Sequence, residues 1–186
     1  MIKRIATHIP GMDPLLEGGF PAGSPILIWG KPGTGKTIFS LEFLLKGAAN
    51  GEVGIYFTFE EKKSDLQQQA SLFGWDCVYY EEKSLLYIIS LGIKELGTTS
   101  IHDMVNLIRE LGATRVVFDS LSTLWYLLPE QERSDQLSVG RFVYLLLSEL
   151  KGLSTTTSLC IAQYHDTKTT GVAQYLCDGI IHLEQQ

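Results

Sequence analysis

Cysteine is scarce in this chain. Its 186 residues include three, Cys77, Cys160 and Cys177, widely spaced and without a Cys-x-x-Cys pair. An odd, scattered set offers no disulfide framework and reads as reduced thiols, so the expected location is cytoplasmic. Basic charge is short as well: 15 Lys and Arg stand against 21 Asp and Glu, a net charge of -6. Nucleic-acid binders carry a basic domain or stripe, so nucleic acid is disfavoured as a partner. Long apolar runs are missing. None approaches the roughly 20 residues a bilayer span requires, and no membrane span is expected. Lys3 and Arg4 are followed by Pro10, Asp13 and Glu17 rather than an apolar stretch, so no signal peptide is read. His8, His102, His165 and His182 are scattered without metal-ligand spacing, and no zinc site is read.

Hydrophobic residues make up 45% and charged residues 19%, the balance of a globular domain rather than a disordered or fibrous chain. A chain this long buries about 70% of its unfolded surface and needs no covalent staples. Residues 1–24, rich in Gly and Pro, read as a structured loop region rather than a helix. Pro25 to Trp29 is a short apolar run, as for a strand buried on both faces of a parallel sheet. A helix is expected from about Lys36 to Ala49, stopped by Asn50-Gly51. Val53 to Phe59 reads as a second strand. Ser64 and Gln67 have capping-box spacing for a helix to Phe73. One or two short strands are expected around Val78-Tyr79-Tyr80 and Leu85 to Ile89. Ser100 and Asp103 open a helix striped by Met104, Leu107, Ile108 and Leu111. Val116 to Asp119, Leu159 to Gln163 and Gly179 to Leu183 read as strands, and Gln136 to Leu150 as a long apolar helix. This alternation predicts an α/β fold, with a largely parallel central sheet flanked by helices.

The strongest motif is Gly30-Lys31-Pro32-Gly33-Thr34-Gly35-Lys36-Thr37, which fits G-x-x-x-x-G-K-[ST] between an apolar strand and a helix. Backbone N–H groups of such a loop, with the helix N-terminus, converge on phosphate oxygens. Pro32, Gly33, Thr34 and Gly35 are therefore expected to wrap the phosphates. Lys36 is expected to reach the β- and γ-phosphates, and Thr37 to give its hydroxyl to Mg²⁺. No guanine-reading Asn-Lys-x-Asp or Thr-Lys-x-Asp occurs, which favours ATP over GTP. Arg115 to Asp119 is an apolar strand ending in an acid, the Walker B pattern, and makes Asp119 a candidate magnesium ligand. Alone that pattern is weak, because an Asp at a strand end also caps helices. Glu60 and Glu61 follow the second strand, at the edge where open α/β sheets bind ligands. A carboxylate there can deprotonate a water attacking the γ-phosphate. The alternative is a solvated acidic pair leading into Lys62-Lys63. Gln163 ends a strand and is a candidate sensor of the γ-phosphate; a satisfied strand-end amide is the other reading.

Together these residues resemble the RecA-like P-loop ATPases of the KaiC and archaeal KaiC-like, RadA-related group. The resemblance rests on His8-Ile9-Pro10-Gly11-Met12-Asp13-Pro14-Leu15-Leu16-Glu17-Gly18-Gly19-Phe20-Pro21-Ala22-Gly23, on Gly30 to Thr37 and on Tyr56-Phe57-Thr58-Phe59-Glu60-Glu61. Phe73-Gly74-Trp75-Asp76, Val116 to Leu121 and Asp178 to Leu183 extend it over nearly the whole chain. It implies a single RecA-like domain over 1–186 that binds ATP and Mg²⁺ between the subunits of a ring, typically a hexamer. It also implies Glu60 and Glu61 as the catalytic glutamates and slow ATP hydrolysis serving a signalling or assembly switch, with a protein partner. The alternatives are an ATP-binding assembly protein with little turnover and a recombinase-like DNA-dependent ATPase. In the family a further strand past Asp178-Gly179-Ile180 carries Lys and Arg into the neighbour's site. This sequence stops at Gln186, so the domain is expected to be truncated after its last core strand or to use another cation, Lys168 being the nearest candidate.

Overall fold

The glycine- and proline-rich opening segment folds as a small antiparallel pair, β1 (Arg4–Ile5) with β2 (Phe20–Pro21). A four-residue helix, α1 (Met12–Leu15), lies between them where only loop was expected. Its anchor is Asp13. That carboxylate accepts from the Thr7 N–H at 2.6 Å, the Thr7 hydroxyl at 2.7 Å and the His8 N–H at 3.0 Å. In the computed structural model, residues 3–92, 100–124, 128, 136–163 and 167–185 are described.

The apolar runs become neighbouring strands. β3 (Pro25–Gly30), β4 (Gly54–Thr58), β5 (Leu86–Ser90), β6 (Arg115–Asp119), β7 (Thr157–Gln163) and β8 (Gly179–Leu183) form one six-stranded sheet in the order β5-β4-β6-β7-β3-β8. Every neighbouring pair is parallel. Helices cover both faces, which is why the central strands read as continuous apolar runs. Successive residues point to opposite faces. Tyr56, Val117, Leu159 and Ile28 therefore meet α2 (Lys36–Ala49), α3 (Lys63–Ser71) and α4 (Cys77–Glu82), through Leu41, Leu44, Leu66 and Cys77. Ile55, Phe57, Val116, Phe118 and Cys160 meet α5 (Ile101–Glu110) and α7 (Gln136–Lys151) on the other face, through Met104, Val105, Ile108 and Leu146. A short α6 (Leu121–Leu124) follows β6, and α8 (Thr167–Leu176) packs beside α7.

Ser100 and Asp103 do form a capping box: the Ser100 hydroxyl accepts from the Asp103 N–H, and the Asp103 carboxylate from the Ser100 N–H. Two further local expectations fail. Val78-Tyr79-Tyr80 lies in α4, not a strand, because the Asp76 carboxylate caps the segment by accepting from the Tyr79 N–H at 2.9 Å. Capping here outweighs the β-propensity of Val and Tyr. α3 starts one residue ahead of Ser64, with Lys62 at its N-cap, and the Ser64 hydroxyl bonds Asp65 instead. Among the described residues no helix is long and apolar enough to cross a membrane.

Candidate functional site at the carboxyl ends of the central strands

β3, β4, β6 and β7 end side by side, so residues far apart in sequence meet at one rim. Gly30 to Thr37 crosses from β3 to α2. Gly35 is the N-cap of α2 with φ of 85° and makes no side-chain cap bond. That left-handed backbone suits glycine, and α2 starts without a side-chain acceptor for its first N–H groups, an arrangement that suits an anion. Gly30 meets a different demand. A Cβ there would strike the Leu183 carbonyl and come within 2.8 Å of the Thr34 hydroxyl, so glycine lets β8 close against the loop. Pro32 and Gly33 form the exposed crest, and the Thr34 hydroxyl donates to the Lys31 carbonyl at 2.9 Å.

The Lys36 ammonium is folded onto the loop, donating to the carbonyls of Gly30 at 2.9 Å and Lys31 at 2.8 Å. Its burial lowers its pKa, against the opposing pull of the Asp119 and Glu60 carboxylates. Thr37, in the first turn of α2, donates its hydroxyl to Asp119 Oδ2 at 3.0 Å, and the Tyr56 hydroxyl donates to the same oxygen at 2.5 Å. Burial pushes the Asp119 carboxyl up to about 6. The bonds from Tyr56 and Thr37 oppose that rise, while the charges of Glu61 and Glu60 add to it. Burial also drives the Tyr56 phenol well above its ordinary value. The Asp119-Ser120 peptide is cis.

β4 ends at Thr58, so strand alternation no longer governs the two glutamates, and they diverge. Glu60 turns toward the end of β6, where its Oε1 accepts from the Ser120 hydroxyl at 3.0 Å and the Thr123 hydroxyl at 2.7 Å. Glu61 turns toward α3 and accepts from the Gln69 amide, while its backbone is clasped by the Thr58 and Ser90 hydroxyls. Gln163 lies beside Gly30 in register and is exposed; its N–H donates to the Ser122 hydroxyl at 3.2 Å and its carbonyl accepts from Thr170. Residues 164–166 and the side chain of Lys168 lie outside the described residues, so the candidate cation Lys168 is placed only by its backbone in α8.

Sequence reasoning passed over Tyr56, Ser120, Thr123 and Gln69. Ser120 and Thr123 carried a signal, the hydroxyl-rich run directly after Asp119. Tyr56 carried a fainter one, a polar atom in an otherwise apolar strand. A cavity of about 280 Å³ adjoins the loop, lined by Lys31, Pro32, Thr34, the end of β8 at His182 and Leu183, and Glu184 and Gln185 beyond it. A second hollow of about 250 Å³, between α2 and α4, includes Trp75 and Tyr79 and none of the candidate site residues.

A family model described as the KaiC ATPase matches residues 5–186. A UPF0273 protein of Pyrococcus furiosus is 39% identical over 76% of this chain and 64% of its own length. The chain thus spans less than two thirds of that relative. A UPF0273 protein of Thermotoga maritima is 37% identical over 99% of this chain and 81% of its own. Among solved structures, a KaiC-like protein of Pyrococcus horikoshii superposes with a TM-score of 0.81 at 30% identity, covering 100% of this chain and 82% of that one. Agreement of sequence and fold along nearly the full length makes this chain a member of the KaiC ATPase family, with the α/β core of a RecA-like P-loop protein.

Proposed function

We propose that the chain binds ATP with Mg²⁺ at the rim of β3, β4 and β6 and hydrolyses it slowly. The observation that carries this is the convergence of Lys36, Thr37, Asp119 and Glu60, which three separate sequence segments bring together. The open N–H groups of the loop receive phosphate oxygens, and the Lys36 ammonium exchanges its carbonyl partners for the β- and γ-phosphates. The Thr37 hydroxyl and the Asp119 carboxylate, hydrogen-bonded to each other, are the hard oxygen donors a magnesium ion takes. Among the described residues no group of three His, Cys, Asp or Glu side chains could hold a metal alone. That suits an ion whose remaining ligands are water and phosphate. When bound, Mg²⁺ neutralises charge on the transferring phosphoryl group.

Glu60 is the chief base. Its two hydroxyl donors fix Oε1 while the residue stays exposed, so it is oriented yet reachable by water. Glu61, held away by Gln69, supports the site through its charge, and Gln163 senses the γ-phosphate. Glu60, Gln163 and the crest of the loop all face solvent, and a neighbouring copy in a ring would close the site. ATP binding then acts as an assembly switch. The testing variant is Glu60→Gln, expected to keep ATP binding and lose about 10²–10⁴-fold in turnover. Undiminished turnover in the Glu60→Gln, Glu61→Gln double variant would overturn the assignment. Mass photometry with and without ATP reads the assembly step: particles of unchanged mass would remove it.

A further inference from the structure

Tyr56 sits among apolar neighbours that do not need its hydroxyl. Its ring is fully buried on the α2 face of the sheet, packed with Leu41, Leu44 and Val117. A phenylalanine would fill that space. A buried hydroxyl left unpaired costs about 1–3 kcal/mol, so its partner accounts for its presence, and that partner is Asp119 Oδ2 at 2.5 Å. The register explains the reach. Tyr56 pairs with Val117, and Asp119 lies two residues further along β6 on the same face. Thr37 donates to that same oxygen from α2. Two donors from two different elements thus grip Oδ2, and neither of these bonds uses Oδ1.

We propose that Tyr56 is the positioning residue of the divalent-cation site, fixing Asp119 through Oδ2 so that Oδ1 is presented to the ion's ligand shell. The inference rests on the reading of Asp119 and Thr37 as the cation's protein ligands. Tyr56 acts through Asp119 and touches neither nucleotide nor ion. Residues that orient a metal ligand set its affinity strongly, by about 10–100-fold when removed.

The test is Tyr56→Phe, which keeps the ring and deletes one oxygen. Mn²⁺ replaces Mg²⁺ as probe, and its binding in the presence of a non-hydrolysable ATP analogue is followed by electron paramagnetic resonance. Nucleotide affinity is measured separately in excess EDTA. Mn²⁺ half-saturation is expected to weaken about tenfold or more while metal-free nucleotide affinity holds. A purely structural role would weaken both together and overturn the proposal. Tyr56→Leu, which also removes the ring, is the packing control. It should lower the melting temperature further than Tyr56→Phe at the same loss of Mn²⁺ affinity. Asp119→Asn separates two failures. Mn²⁺ binding lost in Asp119→Asn and unchanged in Tyr56→Phe overturns the role of Tyr56 alone. Binding unchanged in both overturns the cation site itself.

Discussion

Arg115 opens β6 and Asp119 closes it, and the two ends of this strand are built on opposite terms. At the amino end Arg115 is fully buried, yet each guanidinium nitrogen has an acceptor. Nε donates to Glu52, Nη1 to the Phe43 carbonyl at 2.7 Å and Nη2 to the Ala6 carbonyl at 2.7 Å. The ring of Phe43 lies beneath it at 4.5 Å. At the carboxyl end, Asp119 is half-buried with two hydroxyl donors and carries a carboxyl pushed up to about 6. The sign follows from the folded value lying above the ordinary 3.8. Ionising Asp119 costs the fold at neutral pH, and that cost fades as pH falls through 6 toward 3.8. One end spends its polar groups on each other and confers stability. The other keeps a carboxylate and an ammonium short of ideal partners, which a cation and a phosphate can supply.

Arg115→Ala is the largest expected effect, because it strands the Glu52 carboxylate, the buried Phe43 carbonyl and the partly buried Ala6 carbonyl. Chemical denaturation should show a loss of about 3–5 kcal/mol. If the amino end is purely structural, a Glu52→Met, Arg115→Met double variant should recover much of that loss, and nucleotide affinity of the folded fraction should match the parent. Lys36→Met should do the reverse. Among the described residues its ammonium bonds only loop carbonyls, at the partly exposed rim, so the melting temperature of the nucleotide-free protein should stay close to the parent. ATP affinity by calorimetry should fall about 10–100-fold, as for loss of charge-assisted bonds. A marked drop in melting temperature with intact ATP affinity would erase the contrast between the ends.

Gly47 sharpens the amino-end half of the comparison. It lies on α2 against the guanidinium, and a Cβ there would come within 2.5 Å of Arg115 Cδ. In an exposed helix Gly→Ala stabilises by up to about 1 kcal/mol. Here overpacking should win, and Gly47→Ala should destabilise by about 1–3 kcal/mol. Thermal unfolding decides the sign.

The carboxyl end was more legible in the sequence than the amino end, for a physical reason. Phosphate binding needs a fixed local spacing of Gly, Lys and Thr beside an apolar strand, and that lies within one short segment. Arg115 gives no such signal. A charge at the start of a strand looks like a solvated terminus, and its partners Ala6, Phe43 and Glu52 come from three distant segments. The parallel sheet was readable because strands buried on both faces must be continuously apolar. α4 was not, because its deciding feature is one capping bond from Asp76 rather than the composition of the helix. The parting of Glu60 from Glu61 depends on where β4 stops, and boundaries are what residue patterns locate worst. Tyr56 reads as an ordinary strand former until Asp119 is seen beside it.

The smallest expected effect tests whether the amino-end network extends into the opening segment. Asp13 pins Thr7 and His8, next to the Ala6 carbonyl that receives Arg115. Its partial burial favours the neutral carboxyl, but the bonds from Thr7 and His8 outweigh that and hold its pKa below the ordinary 3.8. A lowered folded value means the ionised form stabilises the fold. That stabilisation is fully present above the unfolded value and is lost as pH falls through the folded one. Asn at this position keeps one acceptor and loses the charge. Asp13→Asn should therefore cost about 1 kcal/mol at neutral pH, the scale of one partly solvated hydrogen bond. The gap to the parent should close in acid, as the parent carboxyl itself becomes neutral. A gap that persists unchanged below pH about 3 would mean that Asp13 acts through its shape alone. The opening segment would then be a passive cover, and the Ala6 carbonyl would reach Arg115 without help from its charge.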